Sequence, residues 1–308
     1  MKAVVVHEYG GPEVLKFEEY PDPAPGPGEV LVRVAATSVN PFDYKRRAGS
    51  MKGSYPIQFP GVIGVDIAGT VVKIGPGVDG FSVGEQVFAM AANTYAELCV
   101  VKADILAKVP KGLDLIQAAA LPLVTTTGNQ LISATGIKAG QTVLVVGAAG
   151  NVGRSAVFTA KQWGAVVIAG VLKSQMDEAK TVGADQLVAT DDDTAIASLP
   201  LLDVVADTVN GKTAEKLIAK VKPGGVFAAV VGPPKNAEKY PSVRLVPVIG
   251  KADAKTLQFM AEAVRDGKLV IPISRKLPLR EAAEAQQRPR RVVLGRSCWW
   301  LESLSCER

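Results

Sequence analysis

The sequence predicts an α/β chain in two parts: a β-rich first part, barrel-like or sandwich-like, and a doubly wound parallel sheet after it. Three observations predict this. Up to about residue 115, short β-branched runs are separated by Gly/Pro turns such as PDPAPGPGE and GPGVDGFSVGE. Beyond that point apolar strands alternate with helical stretches, and the strands are nearly continuous in apolar residues, as expected when helices cover both faces of a sheet. Finally, TVLVVGAAGNVGRSAV (142–157) passes from a strand, through a turn with Gly147, Gly150 and Gly153, into a small-residue helix.

In chain order, KAVVV, EVLVRVAA, DIAGTVVKI, EQVFAM and AELCVV read as the strands of the first part. A helix is expected over Pro41–Ala48, with Asn40 as its cap and Pro41 in its first turn. The second part runs TVLVVG, the helix from Asn151, VVIAGV, the helix SQMDEAKTVGA, QLVA, LDVVADTV, a helix from Lys212, and GVFAAVVG. VRLVPVIG, a helix over Asp253–Asp266, KLVIPIS and RVVL (291–294) follow. Asp191–Asp193 reads as a solvated turn.

Composition narrows the function. At 308 residues, with 48% apolar and 21% charged residues, a sizeable core is available. No apolar run is long enough to span a bilayer, and the first residues read as a strand instead of a signal peptide, so a cytoplasmic location is expected. Three cysteines (Cys99, Cys298, Cys306) and one histidine (His7) offer no zinc-ligand cluster and no disulfide framework. His7 is assigned no role and Cys99 is expected in the core. The net charge of +5 owes +3 to residues 285–308, with five Arg against two Glu, so nucleic acid is not an expected partner.

The glycine turn is the strongest chemical signal. In a dinucleotide fold such a turn lets backbone approach a pyrophosphate whose charge sits on the helix N-terminus. Alanine replaces the first glycine of G-x-G-x-x-G at Ala148, with Gly147 just before it, and the strand–turn–helix–strand context favours a ligand cradle over a plain tight turn. Lys173 and Ser174 lie about 20 residues beyond the turn, where the ribose-discriminating group belongs. No acid occurs along the chain there before Asp177. A cation and a hydroxyl favour a 2′-phosphate, hence NADP(H); the blander roles are a surface lysine and, for Ser174, a helix cap. Tyr-x-x-x-Lys, the donor pair of short-chain dehydrogenases, does not occur.

As a set in this order, VIGVDIAGTVVKIGPGVDGFSVGEQVFA (62–89), AAALPLVTTTGNQLI (118–132), VLVVGAAGNVG (143–153), GAD (183–185), DVVADTVNG (203–211) and KPGG (222–225) resemble the medium-chain dehydrogenase/reductase superfamily, and within it the zinc-free quinone oxidoreductase branch. The resemblance covers about residues 1–284. It implies a GroES-like catalytic domain over 1–118, an NADP-binding Rossmann domain over 119–245, and a return segment over 246–308. That segment would supply the last strand and helix of the nucleotide domain and then complete the catalytic domain. Zinc-dependent relatives would carry Cys at Asn40 and Gly-His-Glu at Gly64-Val65-Asp66, so no metal is expected.

The resemblance implies catalytic roles for Asn40, Asp43 and Tyr55. Asn40 would hydrogen-bond the acceptor oxygen or the nicotinamide ribose; Asp43 would orient a hydroxyl or serve only as a first-turn helix acid. Tyr55 would donate to the oxyanion formed on hydride arrival. Many relatives have a tyrosine where this chain has Lys45. For the coenzyme it implies Thr125 and Thr126, the turn residues Gly147, Ala149, Gly150, Asn151, Val152 and Gly153, then Lys173, Ser174, Val209, Asn210, Val231 and Gly232. The expected activity is NADPH-dependent hydride transfer to a small electrophilic acceptor, a quinone or an α,β-unsaturated carbonyl, by a homodimer paired through VRLVPVIG. The reading from another class is an NADPH-binding redox sensor or binding protein with little catalysis. From about residue 285 the composition shifts, with two of the three Cys and two of the three Trp near the end.

Overall fold

The computed structural model describes residues 1–287 and the backbone of a strand at Arg296–Trp300. The strand expected at 291–294 lies outside the described residues, as do 301–308. The chain divides into two compact units. One comprises Met1–Leu123, Ala252–Asp266 and the chain from Pro272; the other comprises Val124–Lys251 and Gly267–Ile271. The sequence expectation placed the breaks near 118 and 245 and gave the helix after 253 to the nucleotide domain. In the structure that helix, Ala254–Arg265, belongs to the first unit, and Asp253 caps it by accepting from the N–H groups of Lys255 and Thr256.

The first unit is built on a seven-stranded sheet. Its path runs Ile273–Pro278, Arg296–Trp300, Glu29–Ser38, Asp66–Ile74, Gln86–Met90 and Ala107–Lys108, with Leu98–Lys102 also on Glu29–Ser38. Val30, Val32, Val34, Ile67, Val71 and Val87 form one core cluster. A second, around Val4, Ile63, Tyr95 and Leu279, lies under a small sheet of Leu15–Glu19, Lys2–Val6 and Gly61–Val62. Leu15–Glu19 is missed in the sequence because LKFEE buries only Leu15; five antiparallel pairs to Lys2–Val6 hold it. The helix Pro41–Arg47 has proline in its first turn, Asp43 near its N-terminus and Lys45, Arg46 and Arg47 near its C-terminus, in accord with its dipole.

The second unit is a parallel sheet in the order Gln186–Ala189, Val166–Val171, Thr142–Val146, Leu202–Asp207, Val221–Ala229, Arg244–Pro247. The order reverses between Thr142–Val146 and Leu202–Asp207, so loops after these strands flank a topological switch point. Val143, Val145 and Val167 face the helix Asn151–Gln162, with Ala156, Val157 and Ala160, on one side; Leu144, Ile168 and Val205 face Ala214, Leu217 and Ile218 on the other. This two-sided burial explains the unbroken apolar strands. KLVIPIS is not one strand: Leu269 and Ile271 are buried, but pairing begins at Ile273, after Pro272, which has no N–H to donate.

The edge strand Arg244–Pro247 pairs only with Val221–Ala229 among the described residues. Val248 is buried and Val246 packs against the same core, whereas Leu245 and Ile249 are 39% and 66% exposed.

Candidate functional site

In the first unit, the end of strand Glu29–Ser38 and the start of Asp66–Ile74 bring Ser38, Asn40 and Asp66 together, all buried. Asn40 Nδ2 donates to Asp66 Oδ2 at 2.7 Å and to Ser38 Oγ at 3.0 Å, and Ser38 Oγ donates to the same carboxylate. The backbone N–H of Leu123 donates to the other oxygen of Asp66 at 2.8 Å. Two donations from Nδ2, one of them to a carboxylate, fix the amide's orientation. Asn40 Oδ1 is left buried and without a partner among the described residues.

Asn40 is the N-cap residue of Pro41–Arg47, as expected. Its side chain makes no cap hydrogen bond; Asp43 instead closes the helix start by accepting the Asn40 backbone N–H at 2.7 Å. And with both amide protons engaged, Asn40 offers an acceptor and no donor, which suits a ribose hydroxyl and not an oxyanion.

Asp43 is buried and also accepts from Tyr95 Oη at 3.1 Å. Burial, and then the Asp43 carboxylate, push the Tyr95 phenol well above its usual range, so it remains a donor at working pH. Gln286 Nε2 reaches the same phenol at 3.5 Å. Tyr55 does not join this network. Its ring packs edge-on against Phe42, centroids 5.1 Å apart, and its phenol has no hydrogen bond among the described residues. Lys45 is exposed, and His7 pairs with Glu18 at 2.8 Å, also exposed.

In the second unit, Gly147 has φ +77°, and a Cβ there would meet Thr208 Oγ1. At Gly153 a Cβ would collide with the Gly147 carbonyl, so glycine alone lets the helix seat on the turn. Gly150 is the N-cap and supplies no capping side chain to the helix start, the end of a helix that favours an anion. Ala149, Asn151 and Gly153 are buried in or beside the turn and Val152 is half-buried. The Ala149 carbonyl accepts from Arg154 Nε at 3.0 Å, and Arg154 pairs with Glu178. Across the switch point, Asp207 accepts the N–H groups of Val209 and Asn210, and Asn210 (φ +68°) donates through Nδ2 to the Val231 carbonyl beside Gly232. Thr125 and Thr126 are fully buried on the helix Pro122–Ser133, and Thr126 Oγ1 has no partner among the described residues.

Lys173 and Ser174 are exposed at the end of Val166–Val171. Ser174 is no cap: Gln175 Oε1 accepts the Leu172 N–H at 3.1 Å, and Gln175 precedes the short helix Met176–Ala179. The expectation of no carboxylate near Lys173 is corrected too. Parallel pairing to Gln186–Ala189 delivers Asp191, whose Oδ1 accepts the Lys173 backbone N–H at 2.8 Å.

Sequence reasoning missed Ser38, Tyr95, Asp191 and Asp207. Asp66 had a signal, because it stands at the acid of the Gly-His-Glu triplet of zinc-dependent relatives. Asp207 had a weaker one, an acid closing an apolar strand. A zinc ion does not fit the first-unit group: Asn40 turns N–H toward Asp66, Val65 offers no donor atom, and among the described residues no three His, Cys, Asp or Glu side chains gather. The glycine turn and the helix start that follows it do fit a dinucleotide.

Residues 26–111 match the alcohol dehydrogenase GroES-like domain family and residues 182–290 the zinc-binding dehydrogenase family. The chain is 30% identical to a chloroplast envelope quinone oxidoreductase homolog of Arabidopsis thaliana, over 92% of this chain and 93% of that one. The chain belongs to the quinone oxidoreductase branch of the medium-chain dehydrogenase/reductase superfamily. It is also 34% identical to an NADPH-dependent alkenal/one oxidoreductase of the same plant, over 75% of this chain, and spans 63% of that relative's length. A mycobacterial structure solved with NADPH aligns at TM-score 0.85 and 29% identity, over 97% of this chain and 99% of the other. The GroES-like and Rossmann architecture is that of the branch.

Proposed function

We propose that this protein transfers hydride from NADPH to a quinone or an α,β-unsaturated carbonyl. The observation that carries the reading is the amide–carboxylate hydrogen bond from Asn40 to Asp66, at the positions where zinc-dependent relatives carry the Cys and the Glu of Gly-His-Glu around their metal ion. An unactivated alcohol needs its oxygen polarised by such an ion; an acceptor that is already electrophilic needs only a positioned hydride and a proton. Bound NADPH supplies that hydride.

The chain's own residues do the rest. The N–H groups at the start of Asn151–Gln162 and the turn from Gly147 to Gly153 receive the pyrophosphate, Lys173 and Ser174 the 2′-phosphate, and Val209, Asn210, Val231 and Gly232 line the coenzyme. Thr125 and Thr126 hold the carboxamide. Asn40 Oδ1 accepts a ribose hydroxyl, and Asp43 with Tyr95 fixes the Asn40 backbone. Tyr55, whose phenol has no hydrogen bond among the described residues, donates to the acceptor oxygen. The name of the Arabidopsis relative matched over 93% of its length favours an enzyme over a sensor without turnover.

Loss of NADPH absorbance with a panel of quinones and enals tests the reading. Turnover with a primary deuterium isotope effect from C4-labelled NADPH is expected; tight NADPH binding with no acceptor-dependent oxidation overturns it. We further place the protein in the cytoplasm as a homodimer. No described helix is long and apolar enough to cross a membrane. Leu245 and Ile249, not the inward Val246 and Val248, are the side chains an edge-to-edge dimer would cover. Leu245→Lys with Ile249→Lys is expected to halve the sedimenting mass; an unchanged mass counts against the pairing.

A further inference from the structure

A cavity of about 470 Å³ opens in the first unit, away from every hydrogen bond described for Asn40 and Asp66. Its wall is mixed: Pro56, Ile57, Pro60, Val62 and Val100 supply apolar surface, Tyr20, Gln58 and Asn93 supply polar groups, and Arg46 is on it. The Arg46 side chain is half-buried, and it forms no ion pair among the described residues. Nε donates to the Tyr55 carbonyl at 3.3 Å and Nη2 to the Pro56 carbonyl at 3.0 Å. These two bonds fix the guanidinium plane and leave Nη1 and the second proton of Nη2 for another acceptor. The nearby acid Asp43 already accepts from Asn40 and Tyr95. The cavity's other cation, the Met1 ammonium, is held by Asp22.

A fixed guanidinium with no counter-ion among the described residues, beside the apolar surface of Ile57, Val62 and Val100, is matched by a single negative charge with a planar face and a hydrocarbon remainder. We propose that this cavity binds a small carboxylate with an apolar body, its carboxylate on Arg46 and its body against Ile57, Val62 and Val100. The site stands apart from the hydride-transfer reading.

Calorimetric titration of the coenzyme-free full chain with benzoate, and with neutral benzamide of the same shape, tests this. Benzoate is expected to bind at least about 10-fold more tightly, the effect of one charge-assisted bond. Arg46→Gln should lower benzoate to the benzamide level. Val100→Trp, which fills the cavity and keeps the guanidinium, should weaken benzoate about 10-fold or more. Equal binding of the two probes, no binding of either, or unchanged benzoate affinity in a folded Arg46→Gln protein overturns the site. The wild-type comparison and Val100→Trp decide if Arg46→Gln does not fold. NADPH oxidation is not read, so the outcome leaves the proposed activity untouched.

Discussion

At Asn40 the direction of a single amide decides what the residue can recognise. Asp66→Asn sets a second amide against Nδ2 and removes the charge that orients it. A hydrogen bond to a charged group contributes about 1.5–3 kcal/mol, so kcat/KM for NADPH-dependent reduction is expected to fall about 10- to 100-fold in steady-state assays. Lys173 and Asp191 offer a second test. Lys173→Glu is expected to cut the ratio of kcat/KM for NADPH over NADH about 10-fold or more, and Asp191→Asn to raise it several-fold by removing a carboxylate that repels a 2′-phosphate. The place of Lys173 at the end of its strand was legible in the sequence because strand, turn and spacing lie on one contiguous segment. Asp191 was not, because it lies 18 positions further on and reaches Lys173 only through sheet pairing. Tyr95 was silent for the same reason: 52 residues separate it from Asp43.

Elements whose pattern is strong emerge from the sequence nearly intact, as Thr142–Val146 and Asn151–Gln162 do. Weak ones depend on partners. LKFEE becomes a strand only beside KAVVV, and Pro272 ends the run KLVIPIS that composition alone joins. The helix Pro122–Ser133 was not anticipated, since TTTG reads as loop chemistry until its burial is seen. The seat of Asn151–Gln162 on its turn is the element with least tolerance. Gly153→Ala drives a methyl into the Gly147 carbonyl, and overpacking of this kind costs about 1–3 kcal/mol. A lower urea midpoint and weaker NADPH binding are expected together. On the strand Leu98–Lys102, burial pushes the Cys99 thiol up to about 12. The folded protein holds this proton more firmly than the unfolded chain, so the associated stability is complete below pH about 9 and is lost as pH rises toward 12. Unfolding titrations across that range should show a decline that Cys99→Ala reduces, and iodoacetamide should leave Cys99 unmodified at neutral pH.

Across the whole molecule the chain passes four times from one unit to the other, at 123/124, 251/252, 266/267 and 271/272. The parallel sheet is complete once Pro247 has been made, whereas Glu29–Ser38 acquires its last neighbour, Arg296–Trp300, some 260 positions after it was synthesised. That neighbour pairs at Ala36, Thr37 and Ser38. A ribosome therefore releases a finished nucleotide unit while the strand carrying Ser38 still waits for its flank. Nascent chains stalled soon after residue 271 should already retain immobilised NADP+, yet should gain reductase turnover only when the remaining codons have been read.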